Sequence, residues 1–388
     1  MSEWKKVKLG EVCEISAGGD RPQIFSNHRT DKCRIPIYSN GIDNEGLYGF
    51  TDTPKNNGNA ITITGRGANA GTVFYRKDPF LSIIRLLTLT PNSEIINAKY
   101  LFYLLKNKTF LSTGSAQPQI TVPNISQFEI EFNPDIETQH RIATILSRYD
   151  SLIENYQKQI KLLEEAAQRL YKEWFVDLRF PGHENTKIVD GVPEGWELKS
   201  VTNNHLFDVA KCRIALFNGN KTYYATADVE GTYFCNSGVK IEYDNKPSRA
   251  QIQPSLYSVW FARMSNSFKI VGFVEQNNNR REDAILSSGF AGFESHYERF
   301  GFLYCLISSQ WFNDQKDRYA TGATQVSITN EGLSRIRCLL PTTRLAEEFS
   351  LVTNKIIEET ILYRENCTML TEARDRLLPK LMSGEITV

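Results

Sequence analysis

No apolar run in this chain approaches the roughly 18–20 residues that a membrane-spanning helix needs, so a membrane protein is not expected. Met1–Val12 (MSEWKKVKLGEV) has no apolar signal core, and a cytoplasmic location is the expectation. The seven cysteines form an odd set without a single Cys-x-x-Cys pair, which fits reduced thiols rather than a disulfide framework. Zinc sites from Cys13, His28 and Cys33, or from His205, Cys212 and Cys235, lack a paired-ligand knuckle, so no metal is assigned. An excess of positive charge is also missing: 45 basic residues balance 45 acidic ones, which leaves nucleic-acid binding to local basic faces. Absent too are an Asn/Asp-Pro-Pro-Tyr/Phe box for amino-group methylation, a Gly-x4-Gly-Lys-Ser/Thr phosphate loop and a paired-acid-plus-Lys nuclease cluster. No catalytic residue and no cofactor are therefore assigned.

What is present is a long, glycine-free stretch from Pro134 to Phe175. Its apolar residues Ile142, Ile145, Tyr149, Leu152, Tyr156, Ile160, Leu163, Ala167, Leu170 and Trp174 fall in steps of three and four, one stripe along a helix. Asp135 is placed to cap the first turn, and Pro181-Gly182 stops the pattern. Such a helix is roughly 60 Å long and needs a partner for its seam. The partner begins at Pro341. Offsetting the stripe by 207 residues, the step from Pro134 to Pro341, gives Phe349, Val352, Ile356, Glu359, Tyr363, Cys367, Leu370, Arg374, Leu377 and Leu381, eight of them apolar. Both stripes carry consecutive four-residue steps at the same place, Leu152–Tyr156–Ile160 and Glu359–Tyr363–Cys367. Two related helices packed as an antiparallel coiled coil are expected.

The segments before each helix repeat as well. Residues 1–133 hold short strand-like runs (Arg34–Tyr38, Ala60–Thr64, Gly71–Tyr75, Leu86–Leu89) and one helix at Ala98–Lys106 capped by Asn97. Residues 181–340 follow the same plan, with strands near Thr222–Thr226, Ser258–Ala262 and Lys269–Val274 and a helix near Arg299–Ser308. Thr113–Thr121 (TGSAQPQIT) is echoed by Thr321–Thr329 (TGATQVSIT) at an offset of 208, the step from Thr113 to Thr321. The reading is an α+β tandem duplication: a β-rich domain (1–133), a long helix (134–180), a second β-rich domain (181–340) and a second long helix (341–388). Two diverged heads on one rigid spacer suit reading two separated sites on a polymer.

These residues carry a resemblance. Pro134, Gln139, Ile142, Leu146, Asp150, Ile153, Ile160, Leu163 and Leu170 resemble the central helical region of type I restriction–modification specificity subunits. So does the terminal Leu377-Leu378-Pro379-Lys380-Leu381-Met382-Ser383-Gly384. Trp4, Val7, Leu9, Gly10 and Val12, with the two Thr-Gly-Ser/Ala-x-Gln-x-x-Ile loops, resemble that family's target recognition domains. The resemblance covers essentially the whole chain. It implies a non-catalytic subunit in which each β-rich domain reads one half of a bipartite double-stranded DNA target. The helices would set the gap and dock two methyltransferase subunits, with two restriction–translocase subunits joining for cleavage. The alternative is a tandem adaptor binding protein or carbohydrate through two heads.

Candidate DNA contacts follow from chemistry. Gly65–Gly71 has the spacing G-x-G-x-x-x-G and is followed by a strand, so it reads as a hairpin turn presenting Arg66 and Asn69, types suited to guanine or phosphate and to adenine. Arg263 and Asn266 repeat the Arg-then-Asn spacing in the second domain. Gln117, Gln119 and Gln325 lie in the echoed loops and can donate to base edges or phosphate. Arg280 and Arg281, read as part of a loop between strands, are phosphate candidates. The acidic pairs Glu164-Glu165 and Glu358-Glu359 suit solvent or a protein partner.

Overall fold

A computed structural model describes residues 4–67, 69–110, 119–323 and 325–388. The chain folds into two compact units, one built from Met1–Leu152 with Leu370–Val388 and the other from Ile153–Met369. Each unit therefore takes a head and a piece of both long helices.

In the first unit, Lys5–Lys8 pairs antiparallel with Glu129–Phe132, so the strand that opens the head lies beside the one that closes it. Between them lies a four-stranded antiparallel sheet in the order Cys13–Ala17, Leu87–Pro91, Ala60–Ile63, Val73–Arg76. A three-stranded sheet follows the order Leu47–Thr51, Ile35–Tyr38, Leu81–Ser82, the last two strands being parallel. Ala60–Ile63 is buried throughout and Leu87 and Leu89 beside it are buried too, the pattern of a strand covered on both faces. Helix Ala98–Lys106 covers the sheet with Tyr100, Leu101, Leu104 and Leu105, and the Asn97 side chain accepts from the Tyr100 N–H at 3.0 Å as its cap.

The second unit repeats the order of these sheets and adds strands to it. Glu197–Ser200 pairs with Arg337–Leu340. The four-stranded sheet runs Asp208–Val209, Phe290–Glu294, Ser258–Ala262, Ile270–Phe273. The second sheet runs Val239–Ile241, Lys221–Tyr224, Ala284–Ser287, again with the last pair parallel, and gains one further edge strand, Ala250–Ile252. Helix Tyr297–Ile307 takes the place of Ala98–Lys106. Short helices Val122–Ser126 and Asn330–Arg335 are capped by Thr121 and Thr329, which are the same position of the sequence echo. The duplication thus extends to sheet order and helix caps.

The central helix, Ile136–Tyr171, begins where Asp135 accepts the Thr138 N–H at 3.0 Å. Buried Gln139 fastens it to the first head: its Oε1 accepts from the Asn97 N–H at 2.7 Å, and its Nε2 donates to the carbonyls of Ile95 and Asn133. The C-terminal helix is Thr343–Met382. In the first unit Ile142 and Leu146 share a core with Leu378 and Leu381, and Asp150 pairs with Arg374. In the second, Tyr156 lies against Tyr363 at 4.9 Å between ring centres and Phe175 against Phe349 at the same separation. Rising numbers on one helix meet falling numbers on the other, so the pair is antiparallel. Three expected stripe positions need correction. Leu152, Val352 and Glu359 are exposed, while Ile153, Thr353 and Thr360 beside them are buried. The apolar–apolar junction Leu152-Ile153 leaves periodicity alone one residue out of phase.

Candidate nucleic-acid interface

Strand register gathers a set of loops at one end of each head. In the first unit Ala17, Leu87, Ile63 and Val73 stand side by side at the same sheet end, with Tyr38 beside Ser82. The segments leaving that end form a rim and are tied to each other. Ile120 N–H donates to the Gly65 carbonyl at 2.9 Å, Arg85 N–H to the Gly18 carbonyl at 2.9 Å, and Gly65 N–H to Asn40 Oδ1 at 2.7 Å. Asn40 Nδ2 in turn donates to the Ile84 carbonyl. Ile84 and Arg85 both sit in the left-handed region, at φ +53° and +56°, a backbone state that non-glycine residues adopt at a cost and only when their surroundings enforce it.

The Gly65–Gly71 segment is a hairpin turn: Gly67 and Gly71 carry φ +83° and +97°, and Gly71 N–H donates to the Thr64 carbonyl at 2.8 Å. Thr64 and Thr72 hydroxyls both donate to the Asn69 carbonyl, which fixes that residue's backbone and leaves its side chain in solvent. Arg66 is exposed on the same turn, bridged through its backbone to half-buried Gln119. Gln117 lies outside the described residues. Arg85, exposed and without a side-chain partner among the described residues, belongs to this rim and was not singled out from sequence. The available signal was a charge interrupting the apolar run of Leu81–Leu89.

The second rim is built alike but filled differently. Ile328 N–H donates to the Arg263 carbonyl at 2.9 Å, as Ile120 does to Gly65, and Met264 bridges Ser327 as Arg66 bridges Gln119. The residue matching Arg66 is therefore Met264, and Arg263 takes the place of Gly65, which corrects the expected pairing of the two arginines. Counted back from the strand that follows, Asn266 does match Asn69, because the second turn is one residue shorter. Arg263 is engaged internally: its guanidinium donates to the carbonyls of Phe290 and Ile328 and to Asn330 Oδ1, and burial lowers its pKa. Beneath the turn, Lys316 is only 2% exposed, and its Nζ donates to the carbonyls of Met264 and Ser267 and to Asp317 Oδ1 at 2.7–3.1 Å. Asp317 also accepts the N–H of Asn266, whose φ is +54°. A buried ammonium thus holds the turn that presents exposed Asn266. Gln325 is exposed on the neighbouring loop, which closes on itself through Thr321 and Ser327.

Arg280 and Arg281 lie elsewhere. They belong to helix Asn278–Asp283, not to a loop, and that helix leaves the opposite end of the sheet from the rim. Arg280 grips both oxygens of Glu365 at 2.6 and 2.8 Å and donates to the Tyr224 hydroxyl at 2.8 Å. Burial opposes its charge, but Glu365 outweighs burial and holds its pKa above the ordinary value. Arg281 donates to Asn278 and Glu282 of its own helix. Glu164 is also taken up internally, accepting from Arg364 and Thr232. Among the described residues no group of three or more His, Cys, Asp or Glu is placed to hold a metal ion, and no helix is long and apolar enough to cross a membrane.

Residues 1–165 match the type I restriction modification DNA specificity domain. The chain is 29% identical to the type I restriction enzyme MjaIX specificity subunit of Methanocaldococcus jannaschii, over 84% of this chain and 78% of that subunit. It is 28% identical to the MjaVIII specificity subunit of the same organism, over 100% of this chain and 93% of that one. The crystal structure of a type I restriction–modification S subunit from M. genitalium superposes with a TM-score of 0.66, at 17% identity and covering 98% and 96% of the two chains, a likeness of fold.

Proposed function

Because the chain belongs to the family of type I restriction–modification specificity subunits, we propose that it reads a bipartite double-stranded DNA target and performs no chemistry itself. One observation carries this: the same polar, loop-built rim occurs twice, on two heads of matching topology whose exposed side chains differ. Two rims on one chain suit two different half-sites, where a symmetric dimer would read two identical ones. In this reading Arg66, Asn69, Gln119, Asn266 and Gln325 approach the DNA. Arg263, Arg280 and Arg281 serve the fold, and Gln117 is kept as a candidate DNA contact on its residue type alone. The paired helices set the gap between half-sites. Their outward apolar residues, among them Leu162, Leu351, Val352 and Met369, are 50–78% exposed and would receive two methyltransferase subunits. Two restriction–translocase subunits join that assembly for cleavage.

The test is co-expression with the methyltransferase encoded beside this chain, followed by mapping of methyl marks. Marks in a two-part motif with a constant gap are expected. Exchange of residues 1–133 for another member's first head then changes one half of the motif only. A purified complex that marks no such motif and binds no duplex would refute the reading.

A further inference from the structure

We propose that Arg85 of the first head and Arg249 of the second are equivalent contacts to the DNA sugar–phosphate backbone, an assignment that rests on the specificity-subunit reading. Register pins the equivalence. Ile63 faces Leu87 in one head and Phe261 faces Ala291 in the other, so two residues on, Gly65 meets Arg85 and Arg263 meets Gly289. The contacts agree: the Arg263 N–H donates to the Gly289 carbonyl, and the Arg85 carbonyl lies 3.2 Å from an ideal Cβ on Gly65. Arg85 of the first head is thus a glycine in the second.

The charge is nevertheless restored there from another element. A Cβ placed on Gly289 would lie 3.6 Å from Nη2 of Arg249. Arg249 leads into Ala250–Ile252, the edge strand that the first head's sheet does not have, and its carbonyl accepts the Ser288 N–H at 2.8 Å. Both arginines are exposed, and neither side chain has a hydrogen-bond or ion-pair partner among the described residues. Two heads that diverged in sequence therefore bring one exposed, unpaired arginine to the same stretch of the rim by different routes.

That contrast sorts the rim. Phosphates are the same whatever the sequence, so a phosphate contact keeps its charge in both heads, while residues reading different bases change chemistry. Arg66 against Met264 and Gln119 against Ser327 change; Arg85 and Arg249 do not.

The experiment measures affinity against salt for the chain in complex with its methyltransferase. It uses a duplex carrying the methylation-mapped motif and a scrambled duplex of equal length. Arg85→Ala and Arg249→Ala are each expected to weaken binding to both duplexes by roughly three- to tenfold. Each is also expected to lower the slope of log affinity on log salt by about 0.9. Arg85→Lys and Arg249→Lys keep the wild-type slope, since a phosphate needs the charge and not the fork. Unchanged slopes in both alanine variants overturn the proposal. So does a loss confined to the motif duplex, which marks a base reader. If the wild-type complex binds neither duplex, the specificity-subunit reading falls and not this assignment alone.

Discussion

Replacing Glu365 isolates the contact that fastens the second head to the C-terminal helix. In the native chain Glu365 takes two hydrogen bonds from Arg280, and the two side chains are 21% and 15% exposed. Glu365→Leu leaves a mostly desolvated guanidinium with the Tyr224 hydroxyl, the rings of Tyr224 and Phe234 and a sliver of solvent. Breaking a fully buried pair costs about 3–5 kcal/mol; with this residual exposure the expected loss is about 2 kcal/mol, and Arg280→Met should cost a similar ~2 kcal/mol. Removing both charges lets apolar side chains fill the space, so the double variant should lose only about 1 kcal/mol. The implied coupling is then about 3 kcal/mol, opposite in sign to additivity. Two compact units make unfolding of the whole chain a multi-step process, so the probe must report on one. Trp174, Trp196, Trp260 and Trp311 all lie in the second unit and Trp4 alone in the first. Urea unfolding followed by fluorescence in a Trp4→Phe background therefore reads the second unit. Losses that simply add in the double variant would refute the claim that the pair is held by mutual neutralisation.

Lys316→Met strands two carbonyls and Asp317 beneath the second rim and should cost about 2–4 kcal/mol; amide exchange at 263–268 should accelerate well beyond that at Ser258–Ala262. Gly301→Ala should destabilise the second unit by about 1–3 kcal/mol, because its Cβ would stand 2.2 Å from Thr353 Oγ1 and 3.0 Å from Ser350 Cα on the C-terminal helix; a neutral urea midpoint would show that the two helices separate freely. Burial pushes the thiols of Cys13 and Cys338 up to about 12 from 9.0. A raised pKa means the native state holds the proton, so stability is intact below pH 9 and is lost as pH climbs from about 9 to about 12. Each thiol contributes about 1.4 kcal/mol per pH unit over that window, and Cys338→Ala should flatten the alkaline fall of the fluorescence-reported midpoint.

Local signals carried much of the architecture. The long helices were visible because their apolar steps and the Asp135 cap are written in adjacent residues, and the Asn97 cap and the Thr121/Thr329 echo are equally local. What escaped depends on pairing across distance. Nothing near Arg280 announces that its partner is Glu365, 85 positions on. The Leu152-Ile153 junction offers two apolar residues for one buried place, and only the packed seam chooses.

The rims show why site residues are harder to read than elements. Matching Arg66 to Arg263 aligned identical letters, but hydrogen-bond register aligns Arg66 with Met264 and leaves Arg263 buried in carbonyl contacts. A one-residue deletion in a hairpin turn shifts every side chain before it to a new place while leaving those after it in step, as Asn69 and Asn266 are. Sequence spacing cannot locate that deletion, because Gly, Ala, Asn and Ser all serve such turns. Equivalence at the rim follows spatial position and not letter identity. One head reaches the same point with a strained Arg85, and the other with a glycine and an arginine brought in by an added strand.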